Sequence, residues 1–127
     1  MKILVIDDWR IIAEGIRARF PDAQVDHVYR IPESDDQCDL SEYDILFVDN
    51  EGIGNRIHKS GQDFLKHYHS KNPNQMVIYH SGLGADGEFK EFLDSQGFYS
   101  FTKGDNPDEL VQLVTENFKG VENEVKT

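Results

Sequence analysis

Positive charge is scarce in this chain. Thirteen Lys and Arg stand against 24 Asp and Glu, a formal net charge of −11 over 127 residues. That balance argues against direct binding to nucleic acid or to an anionic membrane surface, both of which need Lys and Arg to meet phosphates. It favours solubility and basic patches on protein partners. Cysteine is nearly absent: Cys38 alone excludes an internal disulfide and suits a reducing compartment. It sits in the polar stretch Asp35-Asp36-Gln37-Cys38-Asp39, where neighbouring acids raise its pKa, so it reads as an incidental thiol. Long apolar runs are missing too. The first one is cut by Asp7-Asp8 too early for a signal peptide, none approaches a membrane span, and the expectation is a cytoplasmic protein. There is no internal repeat and no low-complexity segment. With 38% hydrophobic residues and a mean hydropathy of −0.60, the chain fits one domain with a modest core.

What is present alternates between strand and helix. Lys2 to Ile6 is short, continuous and β-branched, the pattern of a buried strand. Ile11, Ile12, Gly15, Ile16 and Phe20 recur at helical spacing and predict a helix from about Trp9 to Phe20, stopped by Pro21. Gln24 to Tyr29 reads as a second strand with Val25 and Val28 inward. Residues 30–42 hold few apolar positions and many Asp and Ser, so a second helix is expected to be short or missing. Asp44 to Val48 is the third strand, and residues 51–61 form a long glycine-containing loop.

Gln62 to Lys71 carries Phe64, Leu65 and Tyr68 on one helix face, ending before Pro73. Gln75 to His80 is the fourth strand. Gly84 to Gln96 is a helix with Phe89, Phe92 and Leu93 inward and Gly97 as its cap. Phe98 to Thr102 is the fifth strand. Asn106-Pro107-Asp108-Glu109 combines a capping residue, a first-turn proline and acids at the positive dipole end. Leu110, Val111, Leu113, Val114 and Phe118 then line a final helix. Residues 1–119 make the expected domain and 120–127 a polar tail. Continuous apolar strands separated by helices predict an α/β fold, a parallel sheet covered on both faces, with ligands at the carboxyl ends of its strands.

Five polar residues stand at those ends: Asp7 and Asp8 after the first strand, Asp49 after the third, Ser81 after the fourth and Lys103 after the fifth. Carboxylates held close repel one another, by about 4 kcal/mol for a pair 4 Å apart at a partly buried dielectric. A cation is therefore expected, and an all-oxygen donor set favours Mg²⁺. One carboxylate can then attack a phosphoryl donor while the ammonium neutralises transferred charge and the hydroxyl bonds a phosphoryl oxygen.

Ile6-Asp7-Asp8, Phe47-Val48-Asp49, Tyr79-His80-Ser81-Gly82 and Phe101-Thr102-Lys103 together resemble the receiver domains of two-component response regulators, of the chemotaxis-regulator type. The intervals match as well: 41 residues from Asp8 to Asp49, 32 from Asp49 to Ser81 and 22 from Ser81 to Lys103. The resemblance implies a flavodoxin-like, doubly wound sheet of five parallel strands in the order 2-1-3-4-5. It makes Asp49 the phosphoacceptor, Ser81 the switch hydroxyl and Lys103 the phosphoryl contact. Mg²⁺ would be held by Asp7, Asp8, Asp49 and the backbone carbonyl of Glu51.

The implied partners are a histidine kinase or a histidine phosphotransfer protein. Downstream, a protein target would dock on the family's fourth helix, fifth strand and fifth helix, near Lys90, Ser100 and Gln112. On this reading the chain is a stand-alone signalling domain rather than an enzyme.

The chain also departs from the family pattern. Asn50-Glu51-Gly52-Ile53-Gly54 replaces the usual Met-Pro, and the loop is several residues longer. Gly104 follows the lysine where proline is usual, and Ser100, beside Tyr99, holds the place of the switch aromatic. Two rival readings follow: a phosphorylation-independent pseudo-receiver adaptor, and a small Mg²⁺-dependent phosphatase. Of the other candidates, Trp9 covers the acidic edge or packs on the first helix, and for His80, beside Ser81, a place at the pocket's border is the lesser of its readings. His67 and His69 fall on different helix faces and make no metal pair; with His58 they read as surface residues.

Overall fold

Strands β1 (Lys2–Ile6), β3 (Ile45–Val48) and β4 (Met76–Ser81) are buried at almost every position, as their unbroken apolar runs require of strands covered on both faces. In the computed structural model, which describes residues 1–118, β2 (Gln24–Val28) and β5 (Tyr99–Thr102) flank them, and every pairing is parallel. The order is β2-β1-β3-β4-β5, the flavodoxin-like arrangement expected. The tail at 120–127 and the domain's expected last residue, Lys119, lie outside the described residues.

Four α-helices cover the sheet among the described residues: α1 (Arg10–Arg19), α2 (Gly61–His67), α3 (Gly87–Gln96) and α4 (Pro107–Asn117). Between β2 and β3 there is only a 3-10 turn, Leu40–Glu42, capped by the Asp39 side chain. With so few apolar residues, 30–42 has no stripe to bury, so the second helix is absent. Ile31, Tyr43 and Ile53 from the loops cover the sheet in its place.

Strand parity sorts the core into two layers. Ile3, Val5, Ile45, Phe47, Met76 and Ile78 face α1 and α4. Leu4, Ile6, Leu46, Val48, Val77 and Tyr79 face α2 and α3. Val25 and Val28, three residues apart, are both inward but in opposite layers.

Several boundaries differ from the periodicity. In α1 the buried face is Ala13 and Ile16, flanked by Ile12 and Phe20, while Ile11 is 66% exposed and Gly15 also faces solvent. A stripe centred on Ile16 leaves Ile11 a quarter-turn outside it. Helix α2 ends at His67 rather than Lys71, because Tyr68 turns extended, packs its ring on Phe64 and donates its hydroxyl to Gln75. Helix α3 begins at Gly87 rather than Gly84: Gly84 sits at φ +70 and Asp86 is extended, so neither continues a helix. Gly97 caps α3 in the left-handed conformation, and Asn106 caps α4 by accepting from the Asp108 amide. No helix among the described residues is long and apolar enough to cross a membrane.

Candidate functional site

The register of β1 against β3 decides what happens at the sheet's carboxyl edge. Ile6 pairs with Val48, and Asp49 N–H donates to the Ile6 carbonyl at 3.0 Å, so Asp7 and Asp49 emerge side by side. Both continue the odd-numbered rows that face α1 and α4, and so does Lys103 after Tyr99 and Phe101. Its backbone N–H donates to the Ser81 carbonyl at 3.0 Å, which fixes the end of β5 against β4. The three side chains therefore converge. Lys103 Nζ lies 2.7 Å from Asp7 Oδ2 and 3.1 Å from Asp49 Oδ1.

Asp8, one step on, points up into the open part of the cleft and is exposed. One carboxylate oxygen from each of Asp7, Asp8 and Asp49 lies within 4.8 Å of the others. The cleft above them, with a volume of about 660 Å³, is bounded by Asp8, Asp49, Glu51, Ser81 and Lys103, with Trp9 at its lip. Asp7 lies beneath, at 1% exposure. Ser81 follows Val77 and Tyr79 in the opposite parity and enters the cleft from the α2 and α3 side. His80, of the other parity, is buried under Lys103 with its ring between Phe47 and Phe101 rather than at the cleft wall.

Backbone bonds hold the acids in place. Asp7 Oδ1 accepts from the Trp9 amide at 2.9 Å, at the start of α1. Asn50 ties the strand end to α2: its carbonyl accepts from Gly61 and its side-chain oxygen from Gln62. A Cβ at Gly61 would stand 1.7 Å from the Asp49 carbonyl oxygen, and one at Gly52, itself at φ +81, 2.2 Å from Asp8 Oδ2. Only glycine allows these approaches.

Burial pushes the Asp49 pKa above the ordinary carboxylate value; Asp7 adds to this, and the Asn50 amide and Lys103 oppose it. For Lys103, burial is the largest single influence and acts downward. The hydrogen bonds and charges of Asp7 and Asp49 together outweigh it, and the net direction is up. Three carboxylates facing one ammonium leave two negative charges uncompensated. An oxygen-only cluster with that surplus fits a hard divalent cation such as Mg²⁺.

The structure also gathers residues that sequence spacing did not connect. His58, from the long loop, meets Asp63 and His67 of α2, with one ligand atom of each within 4.8 Å of the others. The i,i+4 pair Asp63 and His67 was a readable signal; the place of His58 depends on the loop. His27 Nε2 lies 2.7 Å from the Asp7 carbonyl, a contact across β1 and β2 with no sequence signature. Cys38 is half-buried, and burial rather than the nearby acids is the main reason its pKa rises.

No family profile and no curated protein sequence matches this chain. Solved structures do. It is similar to a CheY-like response regulator receiver domain protein from Methanospirillum hungatei JF-1, with 21% identity over 97% of both chains and a TM-score of 0.74. The receiver domain of a LuxO-type repressor protein from Vibrio parahaemolyticus gives 19% identity, 97% and 93% coverage and a TM-score of 0.73. NtrX from Brucella abortus gives 18% identity and a TM-score of 0.71; 98% of this chain spans 28% of that one. The chain has the fold of a response regulator receiver domain.

Proposed function

We propose that this chain is a phosphoacceptor receiver, in which Asp49 accepts a phosphoryl group from a phosphohistidine on a partner and passes the signal on by protein contact. The observation that carries the reading is the bridging position of Lys103, 2.7 Å from Asp7 and 3.1 Å from Asp49 beside a carboxylate trio. The receiver fold supports it.

In the reaction Asp49 is the nucleophile: one of its oxygens forms the new bond to phosphorus as the bond to the donor nitrogen breaks. Burial raises the Asp49 pKa, which makes its carboxylate a better electron donor. Lys103 places a fixed positive charge where the transferred oxygens gather theirs. Ser81 supplies a hydroxyl on the opposite wall of the cleft. Mg²⁺, held by Asp7, Asp8, Asp49 and the Glu51 carbonyl, would supply Lewis-acid neutralisation of the phosphoryl oxygens. The kinase or phosphotransfer partner belongs to this proposal. So does a downstream protein target at α3, β5 and α4, where Lys90, Tyr99 and Ser100 border a shallow cleft.

The test is incubation with acetyl phosphate and Mg²⁺ followed by intact mass measurement. Wild type is expected to gain the mass of one phosphoryl group, and Asp49→Asn none. No gain under conditions that modify another receiver would reject phosphotransfer and leave the adaptor reading, for which the longer Asp49 loop and Ser100 already speak.

A further inference from the structure

We infer that His58, Asp63 and His67 form a second metal site, for a divalent transition ion of the zinc class, independent of the carboxylate cluster at the sheet edge. The geometry is close to that of a chelate. His58 Nδ1 lies 3.6 Å from Asp63 Oδ2, and His67 Nδ1 lies 4.0 Å from Asp63 Oδ1. Tetrahedral coordination with bonds of about 2.1 Å places ligand atoms about 3.4 Å apart, so small side-chain rotations complete the set. The two imidazole rings already stack, 5.6 Å between centroids and 28° between planes.

The donor set selects the ion. Two imidazoles and one carboxylate suit Zn²⁺ and its neighbours and are wrong for Mg²⁺ or Ca²⁺, which take oxygen. The fourth position would be filled by water from the adjoining cleft of about 300 Å³, which His69 and Asp39 also line.

The loop is built to hold His58 in place. Asn55 Oδ1 accepts from the amides of Ile57 at 2.8 Å and His58 at 2.7 Å, and the Asn55 amide donates to the His58 carbonyl at 2.8 Å. Gly54 permits the tight crossing, since a Cβ there would lie 2.4 Å from the Lys59 carbonyl oxygen. The His58 ring packs edge-on against Phe64. Asp63 is held as well: its Oδ2 accepts from the Lys59 amide while its own amide donates to the Ser60 side chain. That reciprocal cap at the start of α2 is the structural role Asp63 has in any case. It does not account for His58 being brought onto the same carboxylate beside His67. His67, one turn further on, is largely exposed; its Nδ1 bonds the Asp63 carbonyl at 2.9 Å, and its ring exchanges that bond for the ion by rotating in open solvent.

The test is calorimetric titration of Zn²⁺ into the full chain, stripped with chelator and held in excess Mg²⁺ so that the sheet-edge carboxylates are engaged. Wild type is expected to bind one Zn²⁺. His58→Gln and His67→Gln are each expected to weaken binding by about tenfold or more, and Asp8→Asn to leave it unchanged. Titration with Co²⁺ adds a check, because a tetrahedral nitrogen-containing site gives strong visible absorption that the histidine variants lose. His67→Gln alters an exposed ring and keeps the circular dichroism of wild type, so a loss in that variant is a loss of ligand. Absence of Zn²⁺ binding by wild type, equal affinity in His67→Gln, or loss in Asp8→Asn in place of the histidine variants would each overturn the assignment.

Discussion

Replacing Lys103 by Met gives the sharpest test of the sheet-edge charge balance. The Lys103 side chain is 18% exposed and its two partners 2% and 10%, so all three groups are largely removed from water. Removing one partner of such a set strands the others, a cost of about 3–5 kcal/mol. Here two carboxylates are stranded at once. Against a total stability of about 5–15 kcal/mol for a domain of this kind, the loss is easily read from urea unfolding at neutral pH in chelator.

Asp49→Asn is expected to act in the opposite direction. Its folded-state pKa is raised, so the folded protein binds the Asp49 proton more tightly than the unfolded chain. The ionised carboxylate is then a net cost at neutral pH, relieved as pH falls through the raised value. The double variant should therefore recover part of what Lys103→Met loses, with a coupling of about 1–3 kcal/mol. Mg²⁺ should raise the midpoint of Lys103→Met more than that of wild type, since the variant has more charge to neutralise. A Lys103→Met protein within about 1 kcal/mol of wild type, without Mg²⁺ and at neutral pH, would refute the reasoning.

Burial and the nearby Lys103 hold the His80 pKa down at about 4, against 6.5 for a free imidazole. The unfolded chain takes up that proton first, so stability is intact above 6.5 and drains away as pH falls toward 4, by about 3 kcal/mol for this group. His80→Phe, between the Phe47 and Phe101 rings, should show a correspondingly smaller loss between pH 7 and pH 4; equal losses would exclude His80 as the source. Gly61→Ala forces a Cβ against the Asp49 carbonyl and should cost about 2 kcal/mol or more while lowering acetyl phosphate labelling; near-wild-type values in both assays would mean the approach is not needed.

The sheet was legible because its strands are buried on both sides and read as unbroken apolar runs. Convergence at its edge was legible because parallel strands all end there. Parity was in the sequence too: it separates Ser81 from the row that carries Lys103 and places His80 under that row. Helix ends were less legible where a local bond decided them, as Tyr68 to Gln75 does at α2. In the histidine cluster only the i,i+4 pair Asp63 and His67 was legible from spacing. His58 owes its place to Asn55, whose side chain folds the loop back on itself, and amide-to-side-chain bonds of that kind leave no periodic trace. The assignment of roles to Asp7, Asp8, Asp49, Ser81 and Lys103 came from family resemblance, and it still rests on the labelling experiment.

One consequence of the strand parity reaches beyond the cleft. Lys103 is rooted in the layer of α1 and α4, and Ser81 in that of α2 and α3. These two halves of the molecule touch chiefly through the sheet that divides them. A group seated on Asp49 that both residues grip would act as a rivet through that partition, so a single chemical event at the rim would be felt on either flank of the molecule.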